Sequence, residues 1–512
     1  MRRIRCAAVG AAGGLVLAMV PGPALAVDDV DTQRLRDAVT VSGILGHERV
    51  LQRIANRNDG TRASGTPGFT ASARYVKRTL RAAGYRVRQQ DFVFPFFREL
   101  EPATLSQVSP TPTDYDTATM DYSATGDVTG SLVPVDLVLP PPAEPGSTSG
   151  CEAEDFPAAD PDADQVALIQ RGTCTFGQKA QNAQAAGYDA AIIFNEGQVG
   201  RTDLLTGTLG DPVDIPVVGV TFADGEALAD AAAAGDVSVH VVTSTEVDLE
   251  ATTSNIIAST PGGDRDRTVV VGAHLDSVAA GPGINDNGSG TATLLEIAEQ
   301  MADLRQKPRQ KVRFAFFGAE EAGDLGSHHY VDSLSDRALG RIVANLNFDM
   351  LGSPNYVRFV YDGDGSDTDP AGPPGSAQIE QVFTDYFDSQ GLETAPTAFD
   401  GRSDYGPFIE AGIPAGGLFS GAEGVKTEEQ AEVFGGTAGE PYDVCYHLAC
   451  DTINNLSTKA LAELGDGAAH AVWTLARTRT GFFEDGSLRA AHADRRTATA
   501  AGSSVGGSQA RR

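Results

Sequence analysis

The chain has 512 residues, 41% of them hydrophobic and 21% charged, with a single tryptophan, which is ordinary globular material with room for two or three domains. A formal net charge of −30 at pH 7 sets it against nucleic-acid phosphate or an anionic membrane surface as partner, because like charges repel over the screening length. Solubility is the plainer consequence of so much charge.

The first residues read as a leader. A basic "MRRIR", an apolar "CAAVGAAGGLVLAMV" and "ALA" before Val27 have the form of a signal peptide over 1–26, with the mature chain starting near Val27 and secreted. That apolar run falls short of the roughly twenty residues a spanning helix needs. No later stretch is long enough, and Cys6 lies ahead of the apolar core, away from the cleavage point, which argues against a lipid anchor. Cleavage leaves Cys151, Cys174, Cys445 and Cys450, an even number that outside the cell suggests two disulfides. Three pairings are formally open; proximity favours Cys151 with Cys174 and Cys445 with Cys450, the second closing a short ring around His447.

Residues 68–94 predict a helix with Val76, Leu80 and Ala83 on one face, a stop at Gly84, and then a strand. From 126 to 246 the texture is short strands and turns, a compact β-rich module whose lone His240 has no catalytic company. From about 252 strands alternate with helices. "TVVVGAH", "KVRFAFFGAEE", "ANLNFDM" and "AGGLF" are nearly continuous apolar runs, as in strands buried on both faces of a mostly parallel sheet, and Leu294, Leu295, Ala298 and Met301 mark a helix that packs on it. The fold class is α/β: a mostly parallel sheet flanked by helices, with a β-rich insertion.

Ligands in such sheets bind beyond the carboxyl ends of the strands. There the chain places His274 and Asp276, Glu320 and Glu321, and Asp349, with Asp286 in a glycine-rich loop and His447 in "CYHLACD". Converging carboxylates repel and raise one another's pKa unless a cation joins them. Imidazole and carboxylate without thiolate suit zinc or another first-row ion, and the number of ligands suits two ions sharing a bridging carboxylate. Asp276 is placed to hold the other nitrogen of His274. Of the adjacent glutamates, one binds metal while the other serves as general base, provided that the strand ends at Ala319, where Gly318 allows a change of direction.

The ordered motifs "HLD", "NDNGSG", "GAEE", "NFDM", "GRSDYGPF" and "CYHLACD" resemble the secreted and vacuolar di-zinc aminopeptidases of the leucyl aminopeptidase and aminopeptidase Y type, over roughly 40–125 and 247–480. "SGCEAEDF", "VALIQRGTCTFGQKAQNAQAAGYDAAIIFNEG" and "IPVVGVTFADG" resemble a protease-associated domain. These resemblances imply a discontinuous zinc peptidase domain at 27–125 and 247–482, interrupted by that domain at 126–246. They imply that His274 and Asp349 hold one zinc, that Glu321 and His447 hold the other, and that Asp286 bridges the two. Glu320 would be the general base, Asp276 the orienter of His274, and Arg402 and Tyr446 the oxyanion stabilisers. Met350, Gly401 and Phe419 would line a pocket for a leucine-like side chain, and a cis peptide would follow Asp286. The substrates implied are peptide or protein N-termini, and the enzyme is expected to be a monomer.

The remaining features carry blander expectations. His328 and His329 read as an exposed helix start, His470 as packing in the last helix, and His47 and His492 as having no partner in sequence. The acidic run at 362–372 reads as a solvated loop, with calcium as a further cofactor to consider. Residues 483–512 are expected to be a disordered tail. Two other functions fit the same fold, a carboxypeptidase or dipeptidase, which needs a basic patch for the substrate carboxylate, and a catalytically dead binding protein, which would have lost ligands or the base.

Overall fold

The computed structural model describes residues 27–305 and 307–479, so the leader expected at 1–26 and the tail expected at 483–512 lie outside the described residues. Helices α1 (Val41–Ala55) and α2 (Pro67–Ala82) each start on a threonine, Thr40 and Thr66, whose hydroxyl accepts an N–H of the first turn. Val76 and Leu80 of α2 are buried, and the chain turns at Gly84, whose φ of 88° suits a residue without Cβ.

Strand β1 (Arg86–Ser109) then runs on for 24 residues. The insertion contributes β2 (Gly126–Val135), β3 (Gln165–Gln170), β4 (Ala190–Phe194) and β5 (Val217–Val220), parallel neighbours in that order. The alternation of their side chains feeds two cores, one with Ile169, Ile193 and Val217, the other with Leu168, Ile192 and Val218. Met120 and Tyr122 already pack into the first of these, upstream of residue 126. The return strand β6 (Ser238–Ser259) pairs antiparallel with β1 from Arg86↔Ser259 to Ser109↔Ser238. The two strands therefore form one ribbon that starts in the peptidase sheet and ends in the insertion, with irregular register at Phe94/Phe96 and around Glu99–Thr104.

The second sheet region holds β7 (Asp264–His274), β8 (Gln310–Phe317), β9 (Ile342–Phe348), β10 (Phe359–Tyr361) and β11 (Ala415–Phe419). Strands β11, β9, β7 and β8 are parallel in that order, and β10 and β6 flank them antiparallel. Helices α3 (Gly290–Asp303), α5 (Ser376–Ser389) and α6 (Thr458–Arg477) cover one face, with Leu294, Leu295, Phe383 and Leu464 in the core. Helix α4 (Leu325–Asp332) and Phe408 cover the other, against Val270, Ala315 and Phe317. With both faces covered, the exposed ends of the parallel strands are where polar chemistry has room.

His470 of α6 packs as expected, stacked on Tyr386 at 4.5 Å with Nδ1 at 2.9 Å from the Thr32 hydroxyl. Burial, and secondarily Arg36, lowers its pKa from 6.5 to about 4. The folded state thus holds it neutral while the unfolded chain protonates below 6.5, so this stability is present above pH 6.5 and lost as pH falls toward 4. In urea titrations at pH 7 and pH 4.5, His470→Phe is expected to lose less stability between the two than the parent, by up to about 2 kcal/mol.

Candidate active site

Five sequence segments converge beyond the strand ends. His274 is the last residue of β7, and Asp349 directly follows β9. Strand β8 stops at Phe317, and the change of direction falls on Ala319, which takes a left-handed φ of 55°. Gly318 is needed for a different reason: a Cβ there would lie 2.7 Å from the Phe69 ring and 2.9 Å from the Ser254 carbonyl. This corner lets Glu320 and Glu321 both enter the site. Asp286 sits in the tight turn at 284–289, before α3, and a cis peptide joins it to Asn287. His447 projects from the loop closed by Cys445–Cys450, and Cys151 pairs with Cys174 in the insertion, as proximity suggested.

The distances among these groups are short. His274 Nε2 lies 3.1 Å from Asp286 Oδ1 and 3.2 Å from Asp349 Oδ1. His447 Nε2 lies 3.2 Å from Asp286 Oδ2 and 3.0 Å from Glu321 Oε2. Asp286 thus gives one oxygen to each histidine. Glu320 stands slightly back, its Oε2 3.8 Å from His274 Nε2. Asp276 reaches the other nitrogen of His274 chiefly through its backbone carbonyl, at 3.2 Å, with its carboxylate at 3.7 Å.

Burial, reinforced by neighbouring carboxylates, raises the pKa of Glu320 and of Glu321. Burial alone would lower His447, but Glu321 and Asp286 bring it up to about 11, and Asp349 and Glu320 raise His274 in the same way. Asp286, buried as it is, is held well below the usual carboxylate range by its bonds to the two histidines. The carboxylates call for positive charge at both histidine nitrogens.

Residues given no role of their own in the sequence reading hold these groups in place. Asp451, just past the disulfide, accepts the N–H groups of Asn285 at 2.8 Å and Asp286 at 3.0 Å, tying the His447 loop to the bridging aspartate. Ser403 donates to Asp349 Oδ2 at 2.6 Å and accepts from Asn347. The Ser64 hydroxyl accepts the Ala319 N–H at 2.7 Å, fixing the corner before Glu320.

The profile of Peptidase family M28 matches residues 255–472, and that of the PA domain matches 128–228. An aminopeptidase of Pseudomonas aeruginosa is 48% identical over 84% of this chain and 79% of its own. Leucine aminopeptidase 2 of Trichophyton equinum is 40% identical over 88% and 86%. The chain belongs to peptidase family M28. This M28 protein is an aminopeptidase, a hydrolase with an inserted PA domain. Among solved structures it is similar to the aminopeptidase from Aneurinibacillus sp. strain AM-1 (TM-score 0.66, 27% identity, 87% of this chain and 96% of that one). It is also similar to BSAP, a zinc aminopeptidase from Bacillus subtilis (TM-score 0.60, 28% identity, 88% and 99%).

The M28 site opens into a cavity lined by Asp286, Glu320, Asp349, Met350, Tyr361, Asp400, Arg402, Phe419, Ala422, Tyr446 and His447, among others. Met350 and Phe419 thus face it, whereas Gly401 is not among its lining residues; the Gly401 N–H donates to the Tyr405 hydroxyl at 2.9 Å. Arg402 donates to Glu423 Oε1 at 2.8 Å and to the Tyr446 hydroxyl at 3.4 Å.

Two ligands of one zinc, each bound at about 2.0–2.1 Å in tetrahedral array, stand about 3.3 Å apart. The histidine–carboxylate separations of 3.0–3.2 Å fit that spacing. Glu321 Oε1 is buried with no hydrogen-bond partner among the described residues, a donor atom that a cation would satisfy.

Elsewhere the histidines pack in ordinary ways, although the exposed helix start expected at His328 and His329 is instead a half-buried stretch in the middle of α4. His329 stacks on Phe92 at 4.7 Å, and His240 pairs with Asp127 at 2.7 Å. His47, which had no partner in sequence, bonds Tyr75 at 2.5 Å and pairs with Glu299 at 3.3 Å. In the acidic run, Asp362 accepts the N–H groups of Gly365, Ser366, Asp367 and Thr368, so the loop closes on its own backbone. Asp362, Asp364 and Glu380 still stand close enough to offer three oxygens to an ion.

Proposed function

We propose that this aminopeptidase is secreted, binds two zinc ions, and removes large apolar residues from peptide N-termini. The observation that carries the reading is Asp286, whose two oxygens face His274 and His447 separately, the arrangement of a carboxylate shared by two ions. In this reading His274 and Asp349 hold one zinc, Glu321 and His447 the other. Zinc supplies Lewis acidity, polarising the scissile carbonyl and lowering the pKa of water.

The chain's own residues do the rest. Glu320 Oε takes the proton of the attacking water and returns it to the leaving amine, and its burial, which raises its pKa, suits both transfers. Arg402 and the Tyr446 hydroxyl donate toward the carbonyl oxygen as charge develops there. Asp276 fixes the ring of His274. Glu320, Asp349 and Asp400 line the cavity as acids able to receive a free α-ammonium, while Met350, Phe419 and Ala422 offer apolar contact to the first side chain. A carboxypeptidase would need a basic patch for the substrate carboxylate, and Arg402, already given to the carbonyl oxygen in this reading, is the one arginine or lysine among the described residues that lines the cavity. The disulfides and the absence, among the described residues, of a helix long and apolar enough to cross a membrane agree with export.

The test is hydrolysis of leucine p-nitroanilide by the mature protein beside its N-acetylated counterpart. Only the free amine should be cleaved, with activity lost to a chelator and restored by about two equivalents of zinc. Equal cleavage of the acetylated substrate would remove the exopeptidase reading.

A further inference from the structure

We propose that Arg62, from the N-terminal segment outside both matched profiles, is a positioning residue of the metal centre that sets the spacing between the loop of His274 and the turn of Asp286; this rests on the zinc reading above. Arg62 lies between α1 and α2 and is wholly buried. Its Nε donates to the Pro282 carbonyl at 2.8 Å, and its two terminal nitrogens donate to the carbonyls of Leu275 and Gly283. Leu275 separates His274 from Asp276, and Pro282 and Gly283 lead into the turn that carries Asp286. One planar guanidinium therefore spans both ligand-bearing segments. Its own N–H donates to Ser277 Oγ at 3.0 Å, and the neighbouring Thr61 hydroxyl donates to the Val278 carbonyl at 2.9 Å, so the loop between is gripped along its length.

A buried cation is costly without counter-charge. Here Glu48 of α1 contributes most to holding Arg62 charged, while burial pushes the Glu48 carboxyl itself well above its usual range; both its oxygens are buried and make no hydrogen bond among the described residues. Asp276, Asp286 and Asp451 add to the same field. Loops could be packed together by apolar side chains at less cost. What a rigid three-carbonyl fork adds is distance control, and metal ligands tolerate errors of only about 0.2 Å. The pair it governs, His274 Nε2 and Asp286 Oδ1, stands at 3.1 Å, within the ligand spacing. Lysine keeps the charge but cannot reproduce the planar fork.

The experiment compares the parent with Arg62→Lys and with the double variant Arg62→Met/Glu48→Gln, which removes the buried cation together with the largest of its counter-charges. Zinc affinity is read by chelator competition, ligand geometry by the visible spectrum of the cobalt-substituted protein, and turnover with leucine p-nitroanilide at saturating metal. Zinc affinity is expected to fall about 10–100-fold in both variants. The cobalt bands should shift, and kcat should fall while KM stays within about twofold. If either variant folds and binds zinc as the parent does with the parent's cobalt spectrum, losing only melting temperature, Arg62 is a fold residue and the proposal is overturned. A parent that binds no zinc would instead sink the zinc reading, and this proposal with it.

Discussion

Glu320→Gln is expected to lower kcat by about 10²–10⁴-fold while the protein keeps its full complement of metal. The amide is nearly isosteric and keeps the corner at Gly318–Ala319, but it cannot accept the proton of the attacking water. The structure makes the metal measurement decisive. Glu320 stands with His274 and Asp349 as one group able to hold an ion, and His274 with Asp286 and Glu321 as another. Geometry alone thus admits Glu320 as a ligand as well as a base. Metal content by atomic emission separates the roles: loss of one equivalent in the variant would make Glu320 a ligand and leave the base to be sought elsewhere. The retreat of Glu320 to 3.8 Å from His274, against 3.1–3.2 Å for Asp286 and Asp349, favours the base.

Asp286→Ala is expected to be at least as damaging, about 10³-fold or more in kcat/KM, with less metal bound as well. The carboxylate faces both histidines, and its backbone N–H is held by Asp451, so the loss strikes both ion positions at once. Removal of a ligand peripheral to one ion would spare the other. A variant that retained the parent's metal stoichiometry would show that Asp286 does not bridge.

The parts legible in the sequence were those with a periodic or chemical signature. Unbroken apolar runs such as "TVVVGAH" announced buried parallel strands, and the acids and histidines at their ends stood out because charge is costly there. The glutamate pair even required the strand to stop early, as it does at Phe317. What stayed hidden were residues whose roles depend on long-range closure. Arg62, Asp451, Ser403 and Ser64 are ordinary polar residues in sequence, and their partners lie up to 255 positions away. Except for Ser403, whose partners Asp349 and Asn347 are side chains, they bond backbone carbonyls and amides, which leave no mark on the partner's identity, so composition cannot report them. The position of Ala319 was misread for a related reason: Gly318 looked like the hinge, yet its missing Cβ serves close approach, and the left-handed residue is its neighbour.

The shared ribbon of β1 and β6 also bears on how such a protein can acquire a second domain. Phe94 and Ala251 face each other across the ribbon, and everything between them departs and returns through that one pair of neighbouring strands. An antiparallel hairpin can be lengthened at its tip without altering the register behind it, since its pairing is fixed residue by residue. A tight turn of a few residues would therefore close the host at this point, and a whole domain grafted there leaves the peptidase sheet threaded as before. The place where the chain is interrupted for longest is thus also the place where interruption disturbs the host topology least.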